Sequence, residues 1–307
     1  MTKSYTVSAR LLAHYRRTAR DLPWRRTRDP YQVLVSEVML QQTQASRVTP
    51  AFDRFIRRFP TLGSLAAAPL GAVLREWSGL GYNRRARDLH RIARASTDGL
   101  PSTVAELDAL PGVGAYTAGA IACFAFGQRA AFADTNIKRV LGRVYLGRVA
   151  TEPEAVEIDE REAPKRGADL WHHALMDLGA TICLPRTPRC SGCPLNADCL
   201  TARMPAVGGL LRFPLPDPFA KGTPGSAAQK TRRPPSMTAR DARPAAYPDS
   251  DRRVRGAIVR ALVKSDAGMT VRALEKAVGH PRVAALIRAL VVDGLVQRSG
   301  RRIQLPD

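Results

Sequence analysis

The sequence is poor in acidic residues and has no long apolar run. Its 27 Asp and Glu are outnumbered by 48 Lys and Arg, which leaves a formal net charge of +21. No apolar stretch approaches the roughly 20 residues that a helix needs to span a bilayer, so we expect no membrane association of that kind. Residues 1–20 also lack the apolar core and the small-residue cleavage pattern of an export signal. We therefore expect a protein of the cytoplasm.

The excess positive charge points to a polyanionic partner. Without a membrane span, nucleic acid explains such a charge more readily than an acidic membrane surface does. Residues 201–307 carry 20 Lys and Arg against 8 Asp and Glu, a net charge of +12, so the C-terminal third holds more than its share. The alternative is a basic face that is merely solvated.

Strand patterns are scarce, and the first 200 residues have the apolar spacing of helices joined by short connections. Residues 7–20 form the first such segment, and from Val33 to about Ala130 helix follows helix. The pattern predicts an all-α core. With 307 residues the chain is long enough for two domains with cores of their own.

The C-terminal third has a different amino-acid composition. Residues 206–250 are rich in proline, small residues and basic residues, as in a linker. Residues 251–307 contain three short helical patterns and a hairpin that turns at Ser299–Gly300, which together suggest a winged-helix-like module. The predicted parts are therefore a helical domain at 1–205, a basic linker and this module.

Cysteine is also scarce, with five residues in all, and four of them fall in one loop. Cys183, Cys190, Cys193 and Cys199 have the spacing C-x6-C-x2-C-x5-C, and four thiolates this close satisfy a four-coordinate metal centre. Disulfides are disfavoured because nothing indicates export. The ligands alone leave zinc and an iron–sulfur cluster equally open. The fifth, Cys123, lies in the apolar AIACFAF and is expected to be a buried small side chain.

A second motif is LPGVGAYTAGA at residues 110–120. Its Pro-Gly-x-Gly turn between two helical patterns brings the amides of Gly112, Val113 and Gly114 to a helix N-terminus, where they can bind a phosphate oxygen. This is the signal of a helix-hairpin-helix. A compact connection with no ligand is the alternative, which the strong basic charge disfavours.

These motifs together resemble the helix-hairpin-helix DNA glycosylases of the endonuclease III superfamily. The segments DPYQVLVSEVMLQQTQ, GLGYNRRARDLH and ALMDLGATIC resemble the adenine DNA glycosylase (MutY) branch in particular, over residues 7–200. The resemblance implies a six-helix subdomain beside an iron–sulfur subdomain, and it favours a [4Fe–4S] cluster at residues 183–199. It also implies a monomer that is nucleoid-associated and binds double-stranded DNA containing a mismatch or an oxidised guanine.

Two carboxylates could carry the chemistry. Release of a purine needs a proton donor for the base and a negative charge near the sugar cation that develops. Glu37 lies in the apolar VLVSEVML, where desolvation would favour its protonated form, and Asp134 precedes a helix whose N-terminus would favour its ionised form. The residues alone leave open a solvent-facing Glu37 and a simple helix cap at Asp134.

The resemblance assigns roles to these residues. It implies that Glu37 is the acid, that Asp134 stabilises or captures the sugar cation, and that Asn136 supports it. Tyr116 stands where bifunctional relatives carry the lysine that forms a Schiff base, so the expectation is a monofunctional glycosylase.

The resemblance also implies how DNA is held. Gln42 and Tyr82 would wedge into the base stack, with a capping amide and a core aromatic as the alternatives, and Trp24 and Arg25 would line the base pocket. His172 and His173 depart from the amide or acidic residue expected near the base, and His173 is the one taken as a pocket residue. The other expected DNA contacts are Gln41, Arg84, Arg85, Arg87, Gly112, Val113 and Gly114.

The resulting prediction is an enzyme that excises adenine paired with 8-oxoguanine or guanine. A thymine or uracil mismatch glycosylase of the same fold is the second possibility, and a non-catalytic DNA-binding protein is the third. One feature departs from the MutY pattern, because residues 201–307 do not resemble the β-rich, Nudix-like domain that usually follows the catalytic domain.

Overall fold

A computed structural model describes residues 2–204 and 250–307. The helical region, residues 2–204, contains twelve α-helices among its described residues. They are α1 Thr2–Thr18, α2 Pro30–Leu40, α3 Ala45–Arg58, α4 Leu62–Ala67, α5 Leu70–Glu76, α6 Arg84–Ala95, α7 Val104–Asp108, α8 Ala115–Phe124, α9 Thr135–Tyr145, α10 Glu152–Glu162, α11 Ala168–Thr181 and α12 Leu200–Arg203. The predicted all-α core is confirmed, and its first helix begins before residue 7.

The run from Val33 to Phe59 is divided into two helices, which the pattern did not separate. Helix α2 begins at a capping aspartate, because Asp29 accepts a hydrogen bond from the Tyr31 amide at 2.9 Å, and Pro30 follows at the first helical position. It ends at Leu40, and α3 begins at Ala45. The four residues between them form a loop at the candidate site.

Helix α8 is the centre of the helical region. Its residues from Thr117 to Phe124 are buried without exception, and it lies against α2, α7 and α11. A helix that is apolar on every side is stable only inside a core. Helix α8 therefore sets the positions of α2, which carries Glu37, and of α11, which carries His173.

Helices α9 and α11 approach each other closely. A Cβ atom placed on Gly179 of α11 would lie 2.6 Å from the Asn136 Cβ and 3.1 Å from its Cα, so only glycine fits there. This contact holds the N-terminus of α9, where Asp134 lies, against the helix that carries His173.

The C-terminal module, residues 250–307, has a winged-helix arrangement. Its elements are α13 Asp251–Val263, β1 Met269–Thr270, α14 Val271–Val278, α15 Val283–Val292, β2 Gln297–Ser299 and β3 Arg302–Gln304. The strands form an antiparallel sheet in the order β1-β3-β2, with Met269 and Arg298 both opposite Ile303. The predicted helices and hairpin are confirmed, and β1 is an addition that is too short to have a sequence signal.

The predicted linker at 206–250 lies outside the described residues except for Ser250. Within the described ranges, none of the helices combines the length and the apolar character required to cross a membrane. The module contacts the helical region through α13 and α5, and the Gly71 amide donates to the Pro306 carbonyl at 2.7 Å.

Candidate active site

A cavity of about 750 Å³ brings the two predicted carboxylates together. Glu37 reaches it from α2 and is only 6% exposed. Burial, and secondly the nearby charge of Asp134, raises the pKa of Glu37 to about 7, against the opposing effects of Arg25 and a hydrogen bond with Tyr116. The carboxyl therefore holds a proton near neutral pH. The solvent-facing alternative for Glu37 is wrong.

Asp134 caps α9 and faces the same cavity. Its Oδ1 accepts from the amides of Asn136 at 2.9 Å and Ile137 at 2.7 Å, and its Oδ2 accepts from Asn136 Nδ2 at 2.8 Å. These three hydrogen bonds fix the orientation of the carboxyl group at the N-terminal end of the helix. Asp134 is thus a helix cap and a cavity residue at once, and Asn136 holds its second oxygen as expected.

Tyr116 closes the cavity beside Glu37. Its hydroxyl donates to Met176 Sδ at 3.8 Å and lies close enough to the Glu37 carboxyl to lower the pKa of that group. Its ring packs edge-on against Phe132 with centroids 5.5 Å apart. Burial and the two carboxylates hold the pKa of Tyr116 well above its usual range, so Tyr116 places a protonated hydroxyl beside Glu37.

The base-pocket residues are held by an ion-pair network that the sequence did not reveal. Arg25 forms two hydrogen bonds to Asp177, at 2.8 and 2.9 Å, and Arg20 binds the same carboxylate at 2.6 Å. Only 8% of either the Arg25 or the Asp177 side chain is exposed. Trp24, which also lines the cavity, packs edge-on against Phe52 with centroids 5.6 Å apart.

The two adjacent histidines have different surroundings. His173 lines the cavity and stacks on Phe124 at 4.2 Å, and burial followed by the charge of Arg25 lowers its pKa to about 3, so it is neutral. His172 is fully buried, away from the cavity, with Nε2 2.7 Å from Asp159 Oδ2. Its predicted proximity to the base is wrong, because its ring stacks on the inner side of Phe132.

The wedge residues, Gln42 and Tyr82, share an unusual backbone. Their φ angles are +55° and +49°, and they are the two non-glycine residues with positive φ in the described part of the chain. Such conformations cost about 1–3 kcal/mol each and occur mostly at functional positions. Gln42 is exposed and Tyr82 is 41% exposed, so the core-aromatic alternative for Tyr82 is wrong.

Arg85 is hydrogen-bonded to both of the loops that carry Gln42 and Tyr82, which we call the wedge loops. Its Nη1 donates to the carbonyls of Val38, Met39 and Gln41 at 2.8, 3.0 and 2.5 Å, and its Nη2 donates to the carbonyls of Leu80 and Gly81. Burial lowers its pKa to about 10, still well above neutral. The expectation that Arg85 meets phosphate is wrong because these carbonyls occupy its guanidinium.

Arg84 and Arg87 also differ from expectation, since both bind the C-terminal module. Arg84 donates to the Asp293 carboxylate at 2.8 and 2.9 Å. Arg87 donates to Asp88 at 2.8 Å and to the Asp293 carbonyl at 2.5 Å. In this arrangement each guanidinium already has a carboxylate partner, Asp293 for Arg84 and Asp88 for Arg87.

The helix-hairpin-helix turn is present between α7 and α8. Gly112 has φ +75°, a conformation that favours glycine, and Gly114 is the N-cap of α8. Gln41 lies on this turn, with Nε2 3.3 Å from the Gly112 carbonyl and 3.4 Å from Thr117 Oγ1. Gly112 and Gly114 are exposed, whereas Val113 packs inward. The turn thus lies next to the Gln42 loop.

The four cysteines of the loop line one cavity of about 360 Å³. Among the described residues, no three His, Cys, Asp or Glu side chains converge closely enough to hold a single metal ion. Arg143 reaches this cavity and lies 3.3 Å from Cys183 Sγ. Cys123 is buried elsewhere, as predicted.

Arg139 connects this loop to the catalytic cavity. Its Nε donates to the Cys183 carbonyl at 2.7 Å, and its Nη2 donates to the Gly179 carbonyl and to Asn136 Oδ1, both at 2.7 Å. Because Asn136 in turn donates to Asp134, a chain of three hydrogen bonds joins the Cys183 carbonyl to Asp134. No local sequence pattern indicates this contact, since Arg139 is simply a basic residue within α9.

Lys138 is another cavity residue that sequence reasoning missed. It follows Asp134 by one turn of α9 and pairs with Glu152 at 3.8 Å. The i, i+4 spacing of Lys138 from the predicted site residue Asp134 places both side chains on one face and could have drawn attention to it.

Comparison with known proteins agrees with this fold. The profile of the HhH-GPD superfamily of base excision DNA repair proteins matches residues 35–164. A solved thymine-DNA glycosylase superposes with a TM-score of 0.61 at 31% identity, over 65% of this chain and 96% of that one. The chain therefore belongs to the HhH-GPD superfamily of base excision DNA repair proteins.

Within that superfamily its relatives are adenine DNA glycosylases. The protein of this name from Mycolicibacterium smegmatis is 39% identical over 300 residues, which cover 94% of this chain and 92% of that protein. The one from Mycobacterium tuberculosis is 47% identical over 196 residues, 61% of this chain. This chain spans 64% of the length of that relative. It is of the MutY type.

Proposed function

We propose that the chain is a base-excision repair glycosylase that hydrolyses the N-glycosidic bond of adenine paired with 8-oxoguanine or guanine. The observation that carries the proposal is that one cavity contains both Glu37, whose carboxyl has a pKa of about 7, and Asp134, whose carboxyl accepts three hydrogen bonds. Two carboxyls in such different surroundings divide the acid and electrostatic roles between them. The names of the relatives agree with this chemistry.

In the proposed mechanism Glu37 donates its proton to a ring nitrogen of the extruded adenine, which makes the base a better leaving group. As the glycosidic bond breaks, positive charge develops on the sugar, and the Asp134 carboxylate stabilises it. Water completes the hydrolysis at the sugar carbon. Neutral His173, with one donor and one acceptor nitrogen, is suited to contact the edge of the base.

Extrusion of the nucleotide costs about a few kcal/mol of pairing and stacking energy, which the enzyme must offset by filling the gap. We assign that role to Gln42 and Tyr82, whose strained backbones hold their side chains out from loops fixed by Arg85. The exposed turn at Gly112 and Gly114 would bind a phosphate of the strand that carries the adenine.

The proposed cofactor is a [4Fe–4S] cluster held by Cys183, Cys190, Cys193 and Cys199. The fit rests on four thiols around one apolar cavity and on the Arg143 guanidinium beside Cys183 Sγ. The cluster would cross-link the loop that Arg139 connects to Asn136. An absorption spectrum of freshly purified protein, with iron and zinc contents from elemental analysis, separates the cluster from a zinc site, which is colourless.

We propose monofunctional activity, since Tyr116 offers no amine beside the sugar. Lys138 supplies an amine at the cavity wall, in contact with Glu152. Strand cleavage should therefore require added alkali, and borohydride trapping on wild type and on Lys138→Ala measures any imine at that side chain. An alkali-independent nick of wild type that Lys138→Ala removes would make the enzyme bifunctional.

The similarity to a thymine-DNA glycosylase favours thymine mismatches as a second candidate function. Single-turnover assays on matched duplexes with adenine opposite 8-oxoguanine, adenine opposite guanine and thymine opposite guanine decide between them. The proposal predicts release from the two adenine duplexes. Release confined to thymine would overturn it in favour of the second function.

A further inference from the structure

A third cavity, of about 370 Å³, lies between the wedge loops and α13 of the C-terminal module, and we call it the α13 cavity. No acidic side chain of the described residues lines it. Gln42 and Tyr82 form its wall on the side of the helical region. The guanidinium groups that line it belong to Arg47, Arg252, Arg253 and Arg260.

The module is attached next to this cavity by specific contacts. Asp293 binds Arg84 from the helical region and Arg255 from α13, and its carbonyl accepts from Arg87. Burial would raise the pKa of Asp293, but the hydrogen bonds of Arg255 and Arg84 hold it below its usual range. The single negative charge of Asp293 is thus shared between Arg84 and Arg255. Arg47 and Arg260, which line the α13 cavity, form no ion pair within the described part of the chain.

The wedge tyrosine itself contacts the module. Arg252 donates to the Tyr82 hydroxyl at 2.5 Å, and its guanidinium carbon lies 5.0 Å from the ring centroid. A module that touches a wedge residue lies beside the DNA that this residue enters. Arg260 lies about two turns further along α13. It is exposed and makes no ion pair with any described residue.

The helix that usually enters the major groove in winged-helix proteins is poorly suited to DNA here. Helix α15, the second of the helix-turn-helix pair, has the sequence VAALIRALVV with Arg288 as its one basic residue. Its end, at Asp293, is directed to the helical region. Helix α13 carries four arginines instead. The charge therefore favours α13 as the side that meets DNA.

We propose that Arg260 and its neighbours in the α13 cavity bind the phosphodiester backbone of the strand opposite the extruded nucleotide. Gln42 lines both this cavity and the catalytic cavity. The extruded nucleotide enters the catalytic cavity on one side of Gln42, which leaves the other side to the opposite strand. The module thereby completes the DNA-binding face. This inference rests on the proposed glycosylase function.

The first test compares Arg260→Gln with Arg288→Gln, a matched exposed arginine of the same module outside the cavity. Affinity is measured at several salt concentrations for a duplex with non-hydrolysable 2′-fluoro-adenosine opposite 8-oxoguanine. Loss of one phosphate contact should weaken binding about three- to tenfold and reduce the salt slope by ~0.9 for Arg260→Gln alone. Equal effects of the two substitutions would overturn the proposal.

The second test identifies the strand. Neutral methylphosphonates replace single phosphates on either strand near the mismatch, in wild type and in Arg260→Gln. The expected result is one linkage on the strand opposite the adenine whose replacement weakens wild type but not the variant. Such coupling on the adenine strand, or on neither strand, contradicts the assignment. The binding measurement does not require turnover. If adenine release failed in separate assays, the proposed function would be wrong, but the strand that Arg260 contacts could still be identified.

The third test addresses whether the module instead blocks the site. Asp293→Asn removes the charge that binds Arg84 and Arg255, and the proposal predicts weaker DNA binding because the module is less firmly positioned. Tighter binding would show that Asp293 competes with DNA for the arginines. The module would then be inhibitory, and the inference would fall.

Discussion

Glu37 and Asp134 face one cavity but are suited to opposite charge states. Glu37→Gln keeps the size of the side chain and removes the acidic proton, so single-turnover base release should fall by about 10²- to 10⁴-fold. Duplex affinity should stay near that of wild type, because the protonated carboxyl and the amide are both neutral. The measurements are a gel assay of released base and an equilibrium binding titration. Exposed Glu157→Gln is the control, and a Glu37→Gln enzyme with normal turnover would remove Glu37 from the mechanism.

The pH dependence follows from the same group. The active form carries the proton, so the single-turnover rate should decline as pH rises through about 7. The hydrogen bond from Tyr116 lowers the pKa of Glu37, and Tyr116→Phe should therefore move this decline to higher pH. The same shift affects the free energy of unfolding in the same direction. A carboxyl whose pKa is raised in the folded state stabilises the fold at low pH, and this contribution is lost as the pH rises to about 7. Rate profiles of both proteins are the measurement, and a shift to lower pH would contradict the assignment.

At the scale of elements, the break between α2 and α3 depends on Arg85. Its contacts with the carbonyls of both wedge loops replace the amide donors that a continuous helix would have supplied. Arg85→Met should destabilise the fold by about 1–3 kcal/mol, since hydrogen bonds from a charged group are lost and buried carbonyls stay unpaired. It should also weaken duplex binding. Exposed Arg91→Met on the same helix is the control, and unchanged denaturant midpoints would show that the loops hold their shape without Arg85.

The link between the cysteine loop and α9 gives a prediction of its own. Arg139→Gln breaks the contacts to the Cys183 carbonyl and Asn136 that position Asp134. The rate of base release should fall about tenfold or more, as a small displacement of a catalytic group is costly. The visible absorbance of the proposed cluster should be retained, which separates mispositioning from cluster loss. A parallel loss of both signals would assign Arg139 to the loop alone.

The sequence predicted those features that depend on local patterns. The helices, the LPGVG turn, the four-cysteine loop and the capping aspartate each need only a few neighbouring residues. Asp177, Arg139 and the true role of Arg85 were not predictable in this way, because their partners lie 40 or more residues away along the chain. An arginine that follows a wedge residue has the same local signature whether it meets a phosphate or a carbonyl.

At the scale of the whole molecule, the position of the C-terminal module was also beyond the sequence. Its main contacts join Arg84 to Asp293 and Gly71 to Pro306, over 200 residues apart, with a proline-rich stretch between. Composition identified a basic module, but its charge alone could not show that α13 lies beside Tyr82. The alignment with the Mycolicibacterium smegmatis protein, over 94% of this chain, extends into this module. The sequence similarity to that protein therefore includes at least part of residues 250–307.

Removal of residues 205–307 tests whether the C-terminal part contributes to DNA affinity, to the rate of base release or to both. A chain that ends after Met204 keeps all the residues that line the cavity with Glu37 and Asp134. It also keeps α12, where the Thr201 hydroxyl donates to the Arg143 carbonyl. Its duplex affinity and the salt slope of binding should both fall, the slope by more than ~0.9, because more than one phosphate contact is lost. The single-turnover rate at saturating enzyme should stay within about threefold of wild type, since no group that touches the base is removed.

The same truncated chain distinguishes affinity from recognition of the opposite base. If the module contributes only phosphate contacts, affinity for adenine opposite 8-oxoguanine and adenine opposite guanine should fall by the same factor, because both duplexes have the same backbone. A loss confined to the 8-oxoguanine duplex would assign base recognition to the module. A collapse of the saturated rate with normal helix content by circular dichroism would instead mean that Arg252 must hold Tyr82 in place for catalysis, and the chemistry would then depend on both parts of the chain.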